Sequence, residues 1–410
     1  MNIEKILSSQ AQIAYPVDIE ETVRRLNLKK GKTINFSLGQ SGPETIPYDY
    51  FREFFLSLSR ASQEELKPLA LYGATRGSSA GLEAVRKLAH KDGILADEKN
   101  ICLSSGALEG FYLLTRALAN KHDTVCCEAP TYSINLKSLE EQEFNIIGIP
   151  VKETGIDLFN LENVLNSGQK IKFVYVIPDF QNPTGRIMPL EKRKQLVNLA
   201  REYEFMIVED APYRLISYDG IPLPPTIYSM APDVTVFVGT ASKIFCAGPR
   251  FGYLIGHPLI IEKVRRFKQC VGYNIPDLCQ RLVYGYLADD TAFEKYMMRI
   301  LTVQKEKRDL MLRQLEDSFH HHQYKEISWS KPGGGIFIWV ELPKGTDADL
   351  IWSDAIEKEG IGITPGKGFF PGNCKRNNCF RLNFTFPTND EITEGIPRLA
   401  NIVKRYVESG

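Results

Sequence analysis

The stretch VTVFVGTASKIFCAGPRFGYLIG, residues 234–256, sets two short apolar runs around a turn of small residues that carries one lysine. Similar runs lie upstream: ICL at 101–103, TVCC at 124–127, KFVYVI at 172–177 and FMIVE at 205–209. Most are apolar throughout and rich in β-branched and aromatic residues, the pattern of strands buried on both faces. Helical patterns separate several of them. In LEKRKQLVNLAREY, residues 190–203, Leu196, Leu199 and Ala200 share one face. This alternation predicts an α/β architecture around a mostly parallel sheet.

Beyond Pro276 the pattern changes. Two helices are expected up to about Phe319, then a strand in GGGIFIWVELP (333–343), a helix over Asp347–Gly360, a strand in CFRLNF (379–384) and a closing helix. That describes a smaller α+β unit. The expected division is 1–45 as an N-terminal segment belonging to the small unit or serving as a lid, 46–290 as the large unit and 291–410 as the small one.

Composition excludes several classes. Of 410 residues 43% are hydrophobic, and 50 basic side chains balance 50 acidic ones. A nucleic-acid binder would show a basic footprint. The clusters Lys29-Lys30, Lys192-Arg193-Lys194 and Arg265-Arg266 read as solvated helix faces. The N-terminus lacks the apolar core of a signal peptide. No run reaches the ~18 apolar residues of a membrane span, so a cytoplasmic protein is expected. The eight cysteines fit free thiols. Cys126-Cys127 fall in a buried strand, and Cys374 and Cys379 have no second pair to complete a zinc site. The run His320-His321-His322 reads as a surface patch, and no metal is expected.

Five local signals carry chemistry. Lys243 follows a strand, at the sheet edge where α/β folds place ligands. A lysine there can form an imine with an aldehyde cofactor, and Thr240, Ser242 and Arg250 can hold a phosphate. Taken alone, such a lysine is more often a surface residue. Asp210 ends the strand at 205–209, and a buried carboxylate needs a cation or strong donors. A protonated pyridine nitrogen would serve, with Tyr213 bonding the phenolic oxygen of the same ring; a helix cap is the bland alternative. Asn182-Pro183-Thr184-Gly185 is a strong turn signal whose asparagine can reach that oxygen. Ser105-Gly106-Ala107-Leu108 turns from a strand into a helix, a natural phosphate cradle, although many such turns bind nothing. Nearby, Tyr132 can face a flat ring or serve as core. Finally, Arg381 sits in an apolar strand and needs a partner, either an internal carboxylate or a substrate's.

In this order the signals resemble the class I/II aminotransferases, the fold type I group of pyridoxal 5′-phosphate enzymes. The matching segments are YGATRG (72–77), SSGALEG (104–110), EAPTY (128–132), PDFQNPTG (178–185), EDAPY (209–213), SKIFCAGPRFGY (242–253), GGGIFIWVELP (333–343), TPGKGFF (364–370) and FRLNFT (380–385). The match runs from about Asn35 to Ile402 and looks closest to the 2-aminoadipate, kynurenine and aromatic aminotransferase branch.

The resemblance implies roles. Lys243 carries the cofactor as a Schiff base and shuttles a proton. Asp210 pairs with the ring nitrogen, Asn182 and Tyr213 bond the ring hydroxyl, and Tyr132 stacks on the ring. The 105–108 turn, Thr240, Ser242 and Arg250 hold the phosphate. Arg381, with Asn182 and the backbone at Gly39, binds the substrate carboxylate. Tyr72 reaches the phosphate of a neighbouring subunit, so a homodimer with shared sites is expected, using an amino acid and a 2-oxo acid such as 2-oxoglutarate or pyruvate.

Two departures stand out. Ala107 and Leu108 replace the hydroxyl residue and glutamine often found in this branch, and SLGQSGPETIP (37–47) replaces its usual Gly-Gly-x-Pro pattern. They keep another reaction on the same fold open, such as β-elimination, cyclisation or oxidation. A non-catalytic regulator is disfavoured, because such proteins carry a DNA-binding domain ahead of the matching region and only about 35 residues precede it here.

Overall fold

The structure, a computed structural model, describes residues 3–8, 11, 18–319 and 324–408. The histidine run at 320–322 lies outside them. A helix at Asp18–Leu28 leads into β1 (Ile34–Asn35). Eight strands then build the main sheet: β2 (Ile101–Ser105), β3 (Thr124–Ala129), β4 (Asn145–Lys152), β5 (Gly155–Ile156), β6 (Ile171–Val176), β7 (Met206–Asp210), β8 (Thr235–Thr240) and β9 (Phe251–Ile255). Their order is β2-β9-β8-β7-β6-β3-β4-β5. The ladders among β8, β7, β6, β3 and β4 are parallel, whereas β9 runs antiparallel to both its neighbours.

Successive residues of a strand point to opposite faces, and β6 shows both faces covered. Phe173 and Tyr175 pack with Phe111 and Leu136, while Val174 and Val176 pack with Leu161 and Leu196. All four strand residues are fully buried, which explains the unbroken apolar run. Burial of each such side chain contributes roughly 1.5–3 kcal/mol. Strand β4 was not expected from the sequence. It is only partly buried and carries Gly148 and Pro150, which break the apolar pattern.

The C-terminal part carries β10 (Ser328–Trp329), β11 (Phe337–Glu341), β12 (Ile361–Gly362), β13 (Thr364–Pro365) and β14 (Cys379–Asn383). Four of these form an antiparallel sheet in the order β10-β11-β14-β13. The remaining one, β12, pairs in parallel with β1. Ile34 and Phe36 thereby enter the core formed by Met311, Ile338, Leu382 and Val403. The two expected helices run Asp277–Ala288 and Asp290–Phe319, and the closing helix runs Asn389–Glu408.

Some details differ from the expectations. The helix after Asp347 is α-helical only over Ala348–Asp354, then widens to a π turn over Ala355–Glu359 and stops at Gly360, whose φ of 64° is left-handed. The small-residue turn is itself helical from its second residue, the helix running Gly106–Leu118. Among the described residues no helix is long and apolar enough to cross a membrane. All eight cysteines are free thiols.

The largest correction concerns Arg193. The run Lys192-Arg193-Lys194 suggests a solvated cluster, but Arg193 is fully buried and paired with the equally buried Asp179. Asp179 also accepts from Arg214 at 2.8 Å, and Arg214 reaches Asp92 at 2.7 Å. This chain of charges ties the turn after β6 to the segment after β7. Removing one member of a buried network costs about 3–5 kcal/mol, because the remaining charges lose their partner. Asp179→Ala should therefore lower the urea midpoint clearly; an unchanged midpoint would show that the network carries no stability.

Candidate active site

The parallel strands β3, β6, β7 and β8 all end on one edge of the sheet, and the segments leaving them surround a cavity of about 240 Å³. Ligands collect at this edge in open α/β sheets. Lining it are Tyr132 after β3, Asn182 after β6, Asp210 at the end of β7 and Tyr213 just beyond it, Thr240 at the end of β8, and Ser242, Lys243 and Arg250 after it. Gly39, Ala107, Leu108 and Arg381 complete the predicted set within it.

Asp210 is 4% exposed. Its Oδ2 accepts from the Tyr175 hydroxyl at 2.8 Å and from Asn135 Nδ2 at 3.3 Å. Its Oδ1 is buried and has no hydrogen-bond partner. Burial pushes this carboxyl up to about 7, against the Tyr175 hydrogen bond and the charge of Lys243, which favour the anion. Across the cavity, Lys243 donates from Nζ to the Gly39 carbonyl. Burial, reinforced by Arg250 and Arg381, pulls its ammonium down to about 8. A mostly apolar pocket thus holds an amine and a carboxyl whose proton affinities converge near neutrality.

Asn182 faces two ways. Its Nδ2 donates to the Tyr213 hydroxyl at 3.2 Å, and its Oδ1 accepts from Arg381 Nη1 at 3.1 Å. The turn that carries it is pinned by Gln181, whose Oε1 accepts from the Thr184 amide at 2.9 Å and hydroxyl at 2.7 Å. The other end of the Gln181 amide donates to the Pro130 carbonyl at 2.8 Å and to the buried Glu128 at 3.2 Å. The segments bearing Tyr132 and Asn182 are therefore held together.

Arg381 in β14 is fully buried. It donates to the Ser37 carbonyl at 2.9 Å, and its guanidinium carbon lies 3.8 Å from the centroid of the Phe337 ring. Burial pulls it down to about 10, so it keeps its charge at neutral pH. Its Nε has no partner.

The opposite end is built by glycine. A Cβ on Gly106, whose φ is 77°, would come within 2.2 Å of Arg250 Nη2. A Cβ on Gly252 would come within 2.3 Å of the Gly106 carbonyl carbon. The backbone turn and the guanidinium therefore meet over a bare surface. Thr240 and Ser242 hydroxyls lie 2.9 Å apart beside it. Arg250 itself has a φ of 52°, a left-handed conformation that usually costs an L residue 1–3 kcal/mol in order of magnitude.

These features fit a flat cofactor with a ring nitrogen at one end and a phosphate at the other. The free, buried Oδ1 of Asp210 matches the nitrogen, and the glycine cradle under Arg250 matches the phosphate.

Three predicted residues lie outside the cavity lining: Gly106, whose bare backbone faces Arg250, Ser105 and Tyr72. Ser105 is exposed, and its amide donates to Glu109 at 2.6 Å. Tyr72 is 89% exposed, its ring edge-on to Tyr273 at 5.3 Å. Conversely, Ile19, Gln40, Asn135 and Phe337 line the cavity without having been singled out. Asn135 was within reach of sequence reasoning, since it follows Tyr132 by three residues at the start of the helix Ser133–Glu141. Tyr175 sits inside an apolar run and offered no signal of its own.

Comparison with known proteins agrees with this geometry. The family model "Aminotransferase class I and II" matches residues 48–399. The aromatic-amino-acid aminotransferase 1 of Thermococcus litoralis is 32% identical over 414 residues, covering 100% of this chain and 96% of the relative. The kynurenine aminotransferase of Pyrococcus horikoshii, solved with PMP and with kynurenine as substrate, superposes with a TM-score of 0.90 at 32% identity over 98% of both chains. The alpha-aminoadipate aminotransferase of Thermus thermophilus, solved with N-(5'-phosphopyridoxyl)-L-leucine, gives 0.89 at 26% identity over 100% of both. Cavity, fold and relatives agree: the chain belongs to the class I and II aminotransferases.

Proposed function

We propose that this chain moves an amino group from an L-amino acid to a 2-oxo acid, 2-oxoglutarate or pyruvate, by a two-stage ping-pong reaction with pyridoxal 5′-phosphate held in the cavity. The observation that carries this reading is the pairing in one cavity of Lys243 with an Asp210 oxygen that is buried and unpartnered. The bound cofactor supplies an aldehyde that takes the amino group and a protonated ring that spreads the negative charge of the substrate α-carbon.

The chain's own residues do the rest. Lys243 is the amine that holds the cofactor covalently. Released by substrate, it is the base that would take the proton from the substrate α-carbon and deliver it to the cofactor carbon that had carried the aldehyde, because with its ammonium drawn down to about 8 the neutral amine is accessible near neutrality. Asp210 keeps the ring nitrogen protonated through its free Oδ1. Asn182 and Tyr213, already bonded to each other, bond the ring hydroxyl. Tyr132 packs on the ring. Backbone N–H groups from Gly106 to Leu108, the Thr240 and Ser242 hydroxyls and Arg250 hold the phosphate. Arg381 binds the substrate carboxylate, with Phe337 and Asn182 keeping the guanidinium in place and Gly39 bounding the site.

The relatives named for aromatic amino acids, kynurenine and 2-aminoadipate support an amino-acid donor. A division at about 45 and 290 suits the arrangement, with the N-terminal segment in the small unit. The exposed Tyr72, beside exposed Leu71 and close to Tyr273, suits a homodimer that buries this face. Free thiols throughout suit the cytoplasm.

The visible spectrum of the purified protein decides the central point. Single amino acids should bleach the cofactor band to the pyridoxamine form, and 2-oxoglutarate or pyruvate should restore it. Ammonia release without any oxo acid would overturn transamination in favour of another reaction. Lys243→Ala should lose the covalent band and about 10²–10⁴-fold in transamination rate; full activity in this variant would refute the role of Lys243. Covalent uptake of pyridoxal phosphate by cofactor-free protein should rise with pH through about 8, since only the neutral amine of Lys243 is nucleophilic. A midpoint near 10.5, the ordinary lysine value, would contradict the depressed amine.

A further inference from the structure

Asp210 is not held symmetrically. Both of its hydrogen bonds fall on Oδ2, and Oδ1 receives none. The donors come from two different elements, Tyr175 in β6 and Asn135 in the helix Ser133–Glu141. Asn135 Nδ2 also donates to the Tyr175 hydroxyl, at 2.7 Å. With one of its lone pairs taken by Asn135, that hydroxyl directs its own proton to Asp210. Tyr175 has no freedom to do otherwise. It is fully buried, its ring lies 4.8 Å from that of Phe111, and its strand is locked in register with β7 at Val208.

We propose that Tyr175 and Asn135 are positioning residues for amino-group transfer: by saturating one oxygen of Asp210 from behind, they keep the carboxylate ionised and present the other oxygen to the cofactor ring nitrogen. This inference rests on the pyridoxal phosphate reading.

The electrostatic setting gives the pair its weight. Burial alone would neutralise Asp210, which would then lose its hold on a ring cation. The groups that face it are Lys243 after β8, Glu128 in β3, Tyr132, Tyr213 and Tyr175. Burial pushes Glu128 up to about 8 and Tyr132 up to about 12, and it raises Tyr213 and Tyr175 as well, so these four stay neutral near pH 7. Lys243 is the cation among them, and its amine is the one committed to the cofactor. The stabilisation of the carboxylate that remains comes from the two neutral donors on Oδ2.

The test uses the whole protein loaded with pyridoxal phosphate labelled with ¹⁵N in the ring. In the wild type the ¹⁵N shift should report a protonated ring nitrogen across neutral pH. Tyr175→Phe keeps the ring and its packing but removes the hydroxyl. Its ring-nitrogen titration should fall by about one pH unit, and its dissociation constant for pyridoxal phosphate should rise about tenfold, the two being one free-energy difference. Asn135→Ala should shift both readings the same way by less. The melting temperature of the cofactor-free variants should stay near that of the wild type, a result that a purely structural role would not give. Folded variants that match the wild type in ¹⁵N titration and in cofactor affinity would overturn the proposal. If Tyr175→Phe does not fold, Asn135→Ala decides by the same two readings. A wild type that takes up no cofactor would instead sink the pyridoxal phosphate reading itself.

Discussion

A guanidinium buried without a carboxylate is the constraint around which this molecule is arranged. Among the described residues Arg381 forms no ion pair, and its donors go to the Ser37 carbonyl, the Asn182 side chain and, at 3.4 Å, the Thr364 hydroxyl. Taking such a charge out of water costs several kcal/mol, and dipoles offset only part of it. The offset needs three distant stretches of chain in one place: residues near 37, the turn at 182 and the strand pair at 364 and 381. The pairing of β1 with β12 and the bond from the Asn383 amide to the Phe36 carbonyl at 2.7 Å hold the first of these against the last. What stays uncompensated is the charge itself, which faces the cavity without an anionic partner among the described residues.

The carboxylates at the opposite side divide their labour by small differences in hydrogen bonding. Glu209 and Asp210 are adjacent, both buried at the end of β7, and burial pushes both up to about 7. Glu209 turns to the far face and accepts from the Ile227 and Tyr228 amides at 2.9 and 2.7 Å, one on each oxygen. It closes a helix start and has no oxygen to spare. Asp210 keeps one oxygen free. Adjacent buried positions thus end with different hydrogen-bond environments, because alternation along a strand sends them to different neighbours.

Much of this was legible in the chain. Runs such as 172–177 announced buried strands because both faces of the sheet are covered; Lys243, Asp210, Asn182 and Tyr213 could be singled out because they follow or end such strands, and Arg381 because it is a charge within an apolar strand. What stayed hidden depends on partners far away in sequence. Arg193 looked like one of three solvated cations, and only the folded turn at Asp179 shows why it is buried. Tyr175 looked like core, and its hydroxyl gains meaning only from Asp210, 35 residues later. Gly148 and Pro150 masked β4, a strand too exposed to carry a continuous apolar signature. Tyr72 shows the converse: its segment was recognisable, but within a single chain its ring meets Tyr273 rather than the cavity.

The reversed direction of β9 has a mechanical meaning. Because β9 returns directly beside β8, the loop from Ala241 to Arg250 is the head of a hairpin, and both its feet are clamped into the sheet. Lys243 and Arg250 therefore ride on one short arch rather than on separate elements. The six residues between them act as a ruler: the span from the lysine amine to the guanidinium is written into chain length, and the two ends cannot drift apart while the sheet remains intact.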